Sequence, residues 1–174
     1  MGVITSFISQ LAIPFITEVS FLFQEQAYVM LALLTLLTFP FFKLRKRILI
    51  TVLGVLLLIA VVYAAKSYYA QPRPCLTQDV RYPCEAGEPT SYQSFPSGHA
   101  AVSFLLVAAT LGTPVFALYL ILAFLISFTR LYLGVHTLND VVAGIAIGIA
   151  VYALAEIIVN RFIEVWKKWK LGAS

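Results

Sequence analysis

The chain has 174 residues, of which 61% are hydrophobic and 11% charged, with a formal net charge of +4 and a mean hydropathy of +0.92. A water-soluble domain of this size is about half apolar and about a quarter charged, so this chain lacks the polar surface to cover itself in water. The balance excludes a soluble enzyme and predicts one all-α integral membrane domain, residues 1–174, with the bilayer as its solvent.

Residues 1–24 come first and are mixed. Phe7, Leu11, Ile13, Phe15, Phe21 and Phe23 are interrupted by Ser9, Gln10, Pro14, Thr17 and Glu18. A carboxylate in mid-bilayer costs about 2.5 kcal/mol or more. The segment therefore reads as an interfacial helix on the outer surface, with a sixth span as the alternative. It has no basic start and no small-residue cleavage pattern, which argues against a signal peptide. Five apolar runs follow: Ala27–Phe42, Ile48–Ala65, His99–Leu111, Val115–Leu133 and Val141–Val159. A helix needs about 20 residues to cross the hydrocarbon, so the first and third must borrow flanking residues such as Gln24–Gln26 and Pro96–Gly98. The prediction is a bundle of five transmembrane helices. Small residues at Ala143–Gly144–Ile145–Ala146–Ile147–Gly148 read as close helix packing.

Orientation follows from the basic residues. Lys43, Arg45, Lys46, Arg47, Arg161, Lys167, Lys168 and Lys170 fall on one side of a five-span chain; Lys66, Arg73, Arg81 and Arg130 fall on the other. The richer side is cytoplasmic, which puts the C-terminus inside and the 66–97 loop outside. These flanks account for the net charge and give no reason to invoke nucleic acid. Cys75 and Cys84 share the outer loop. A disulfide is allowed outside the cytoplasm and is preferred here over two free thiols or a zinc site.

The ionisable residues near the spans are unevenly placed. Lys66 ends the second span and Arg73 follows it. Pro96–Ser97–Gly98–His99 opens the third, Arg130 and His136 close the fourth, and Asp140 opens the fifth. In an up-and-down bundle all of these ends face the outer side. Taken singly, Lys66 is a snorkelling anchor, Arg73 the partner of a loop carboxylate, and the Pro96 tetrapeptide a plain helix cap. Together they leave three cations facing one carboxylate, a surplus that an anionic substrate relieves. Ser97 can cap a helix whose first amides bind phosphate, and Gly98 lets a ligand approach the backbone. His136 and Asp140, four apart, share a face if that stretch is helical, and the carboxylate then holds the imidazole in one tautomer. The two histidines and one aspartate could instead ligate a metal, which the surplus of positive charge disfavours.

The pattern Lys66-x6-Arg73-Pro74, Pro96-Ser97-Gly98-His99 and Thr129-Arg130-x5-His136-x3-Asp140 resembles the three-part signature of the type 2 phosphatidic acid phosphatase superfamily. It departs from it only in Thr129, where serine is usual. The resemblance implies a phosphatase without cofactor. His136 would be the nucleophile that forms a phosphohistidine, Asp140 its orienting carboxylate, and His99 the acid and then base. Lys66, Arg73, Arg130, Ser97 and Gly98 would hold the phosphate. Members act on polyprenyl diphosphates, phosphatidic acid, phosphatidylglycerol phosphate or sugar phosphates, and a soluble branch holds vanadate. The outward site and small polar surface favour a polyprenyl diphosphate of the undecaprenyl or dolichyl type, with phosphatidic acid or phosphatidylglycerol phosphate next. A non-catalytic lipid-phosphate binder or transporter has no need of His136, His99 and Asp140 together. A homodimer is compatible with the pattern and not demanded by it.

Overall fold

The computed structural model of the chain describes residues 2–11, 13–38, 45–82, 84 and 92–172. Lys43, the end of the first expected span and the middle of the outer loop lie outside these residues. The described residues are helical with no strand: α1 (Gly2–Ser9), α2 (Pro14–Thr38), α3 (Arg45–Tyr69), α4 (Pro74–Thr77), α5 (Gly98–Thr110), α6 (Phe116–Tyr132) and α7 (Leu138–Gly172).

The N-terminal segment divides where proline dictates. Pro14 has no amide hydrogen and restrains the residue before it, so it begins a helix and cannot continue one. The backbone of Ile13 at this break is met by α6: its amide donates to the Tyr132 hydroxyl at 3.2 Å, and that hydroxyl lies 3.3 Å from the Ile13 carbonyl. The described residues between 2 and 24 thus form α1 and the first arm of α2 rather than one helix. α2 bends by 78° between Pro14–Gln24 and Tyr28–Leu36.

Two helical stretches, Arg45–Thr77 and Leu138–Lys170, are long and apolar enough to cross a membrane, and the bent α2 adds a third if it counts as one span. α5 and α6, with 13 and 17 residues, are shorter than a free-standing span requires. α5 has a different task. It packs against α3, α6 and α7, and Ala100, Ala101, Leu105 and Ala109 are fully buried, so it forms the centre of the bundle. The outer helices carry the lipid-facing surface, with Leu56 and Ile59 of α3, Ile121 and Phe124 of α6 and Ile149 and Ile157 of α7 all exposed.

The closest helix contact is α5 against α7. A methyl group at Gly144 would come within 2.5 Å of the Ser97 carbonyl oxygen, and one at Gly148 would strike the Ala101 carbonyl. Without side chains there, the two backbones touch, and Ser97 of α5 lies directly over Gly144 of α7.

Candidate active site

Each ionisable group that the sequence singled out sits at the same end of the helices. Lys66 lies in the last turn of α3, Arg73 immediately precedes α4, and Arg130 occupies the last turn of α6. Ser97 is the N-cap of α5, and its side chain accepts from the Ala100 amide at 3.5 Å. His99 follows in the first turn of α5, and Asp140 sits in the first turn of α7. His136 lies in the connection before α7, so its spacing from Asp140 belongs to a turn and helix start rather than to a continuous helix.

The structure brings these groups together. Arg130, His136, Arg73 and Lys66 all act electrostatically on the His99 ring, and Arg73 and Lys66 act on His136. Arg130, His136 and Asp140 are buried. Among the described residues, three cations and two imidazoles therefore share one partly desolvated space with a single carboxylate.

Asp140 is held more firmly than the sequence indicated. Its Oδ2 accepts from the Ser94 hydroxyl at 2.6 Å and from the Thr137 amide at 2.7 Å. Nδ1 of His136 is 3.6 Å from the same oxygen. That separation is an electrostatic contact rather than a formed hydrogen bond. His136 Nδ1 and Asp140 Oδ1 are both buried without a hydrogen-bond partner among the described residues. The ring also presents Nε2 on the edge away from Asp140. Burial pushes the His136 imidazole down to about 4, and Arg73 and Lys66 act in the same direction while Asp140 opposes them. His136 is therefore neutral at neutral pH, with a lone pair available.

Arg130 is fixed by its neighbours. Its Nε and a terminal nitrogen donate to the Thr129 hydroxyl at 3.3 and 3.2 Å, and the same terminal nitrogen donates to the Ser20 carbonyl of α2 at 3.2 Å. The hydroxyl that threonine shares with the usual serine is thus the atom in use. Lys66 donates to the Gln93 carbonyl. The Ser97 amide is already engaged, donating to the Asp140 carbonyl at 2.9 Å. An anion at this helix start would meet the amides of Gly98 and His99, which have no carbonyl four residues earlier in the helix.

Cys75 and Cys84 are joined, with Cα atoms 5.2 Å apart. The Cys75 amide donates to the Gly134 carbonyl at 2.9 Å, so the segment after α3 is tied to the turn that carries His136.

Sequence reasoning missed Ser94 and Tyr28. Ser94 was one hydroxyl in a polar loop. Tyr28 stacks on His99 from α2, with centroids 4.4 Å apart and planes inclined by 27°. Tyr28 also lines an apolar groove of about 250 Å³ with Leu58, Ile59, Val62, Tyr63 and Val102, and Lys66 and Gly98 belong to the same lining.

Comparison with known proteins agrees with the resemblance. An undecaprenyl-diphosphatase of Sulfolobus acidocaldarius is 41% identical over 112 residues, covering 62% of this chain and 53% of that protein. The chain thus spans about half the length of this curated relative. The crystal structure of Aquifex aeolicus LpxE superposes with a TM-score of 0.70 at 27% identity, covering 87% of this chain and 91% of that one. Residues 46–164 match the PAP2 superfamily, a stretch that holds Lys66, Arg73, the Pro96–His99 segment, Arg130, His136 and Asp140, and the chain belongs to that superfamily.

Proposed function

We propose that the chain is a membrane lipid phosphatase that hydrolyses a polyprenyl diphosphate to the monophosphate and inorganic phosphate, on the extracytoplasmic side and without a metal. The observation that carries this reading is a cationic site with two histidines beside an apolar groove. The groove offers a place for a hydrocarbon chain beside Lys66 and Gly98. The name of the Sulfolobus relative, an undecaprenyl-diphosphatase, favours a diphosphate over a monoester such as phosphatidic acid or phosphatidylglycerol phosphate.

The chemistry follows from the groups present. Nε2 of His136 attacks the terminal phosphorus, and the bond from phosphorus to the bridging oxygen breaks. Nε2 of His99 gives its proton to that oxygen, and the lipid monophosphate leaves. The phosphoryl group is then held on His136, while Asp140 stabilises the positive charge on its ring. His99, now neutral, takes a proton from water as the water attacks phosphorus. The P–N bond breaks and phosphate departs. Lys66, Arg73 and Arg130 neutralise the charge spread over the nonbridging oxygens, which is most of what phosphoryl transfer requires.

The test is phosphate release by the purified protein from four lipids: a polyprenyl diphosphate, diacylglycerol pyrophosphate, phosphatidic acid and phosphatidylglycerol phosphate. Wild type should turn over the polyprenyl diphosphate fastest and keep its activity in excess EDTA. His136→Ala should release no phosphate above background. Full turnover by His136→Ala removes the nucleophile, and loss of activity in EDTA that a divalent ion restores brings back the metal alternative. Binding without turnover by wild type would favour a lipid-phosphate carrier.

A further inference from the structure

His99 has one imidazole nitrogen in contact and one without. Its Nδ1 lies 3.4 Å from the Tyr28 hydroxyl, while Nε2 is buried with no partner among the described residues. The rings are stacked, and Gly98 leaves room for the contact, since a methyl group there would come within 3.2 Å of the Tyr28 oxygen. Tyr28 opens the second arm of α2, outside the 46–164 stretch that matches the superfamily.

Burial makes the protonated form of His99 costly, and the groups around the ring add to that cost. Lys66 from α3, Arg73 before α4, Arg130 from α6 and His136 before α7 all face it, and every one is cationic or neutral. The Tyr28 oxygen contributes a lone pair among these cations. We propose that Tyr28 is a positioning residue for His99: its oxygen accepts the Nδ1 hydrogen, stabilises the imidazolium, and reserves Nε2 as the one nitrogen that gives and later takes the proton.

The proposal rests on His99 serving as the acid and base set out above, and the test separates the two. The chain has only two histidines, so a sample labelled with nitrogen-15 histidine shows two imidazoles, and His136→Gln assigns them. In wild type, neutral His99 should carry its proton on Nδ1. Tyr28→Phe keeps the stacked ring and loses the acceptor, so the Nε2–H tautomer should become substantially populated. The imidazolium of that variant is less stable, and His99 loses its proton at lower pH. The alkaline limb of kcat on a polyprenyl diphosphate should therefore move to lower pH by about half a unit to one unit, with kcat reduced about five-fold to ten-fold and KM little changed. An unchanged tautomer, or an unchanged alkaline limb in an active enzyme, overturns the proposal. If the tautomer responds to Tyr28→Phe but wild type releases no phosphate from any substrate, the phosphatase reading fails and the Tyr28–His99 coupling stands.

Discussion

Two residues that the sequence left unremarked, Ser94 through its hydroxyl and Thr137 through its backbone amide, set the position of Asp140 through its Oδ2. Removing the Ser94 hydroxyl frees that oxygen to move relative to His136 Nδ1. Ser94→Ala is expected to reduce kcat about ten-fold. Asp140→Asn, which removes the charge, should reduce it by about a thousand-fold or more, as loss of the orienting carboxylate does in comparable arrangements. Phosphate-release kinetics on the two variants check the order. Thr129 offers a sharper comparison, because Arg130 uses its hydroxyl and not its methyl group. Thr129→Ser should retain activity within a few-fold, while Thr129→Val leaves the buried Nε of Arg130 without its acceptor and should cut kcat/KM by about ten-fold. The pH dependence follows from His136. Its pKa is lowered to about 4, so its neutral form persists as pH falls below the ordinary value of about 6.5. The acid limb of kcat/KM should accordingly lie near pH 4 to 5, and a limb at 6.5 would contradict the buried placement of the ring. The same shift means that the folded protein binds fewer protons than the unfolded chain across that window. Stability should therefore fall as pH drops from about 6.5 toward 4.

Among the elements, α5 and α7 carry the geometry of the site. Ser97 and Asp140 are linked across them by a 2.9 Å backbone hydrogen bond, directly beside the point where Gly144 meets the Ser97 carbonyl. Gly144→Val should wedge the helices apart. A destabilisation of about 1–3 kcal/mol is expected from overpacking, read as a lower Tm in detergent, with activity lost in proportion to the displaced His99 and Asp140. A Tm and activity equal to wild type would show that the contact is not tight. The all-helical class and the packing role of these glycines were legible in the sequence, because hydropathy and small-residue spacing are local properties. The spans were less legible. α5 was expected to lengthen through Pro96–Gly98, but it starts at Gly98 because Ser97 caps it, and a helix buried among three others has no need to meet lipid along its whole length. The bend in α2 was not legible either, since no proline or glycine marks the residues between its two arms.

For the whole molecule, the convergence of the signature residues could be read from the chain because a bundle of antiparallel helices collects alternate ends on one side. Tyr28 could not be read that way. Nothing separates it from the other aromatic residues of an apolar run until α2 is seen to stack it on His99. The direction in which the site faces is a matter for labelling. A cysteine placed at Tyr92 should react with a membrane-impermeant maleimide on intact cells, and one at Trp169 only after permeabilisation; both positions are exposed. The reverse pattern would turn the molecule over.

α7 runs for 35 residues, from beside Asp140 to the aromatic and basic cluster where Lys170 lies over the Trp166 ring at 4.2 Å. At 1.5 Å per residue, Asp140 and Trp166 are about 39 Å apart along the axis, which exceeds the roughly 30 Å of hydrocarbon and nears the full thickness between headgroups. An indole anchored in one interface therefore sets the depth of the carboxylate at the other, like a gauge rod of fixed length. Deleting one turn between them would draw the reaction centre about 5 Å toward the oily interior, away from the plane in which lipid phosphates reside.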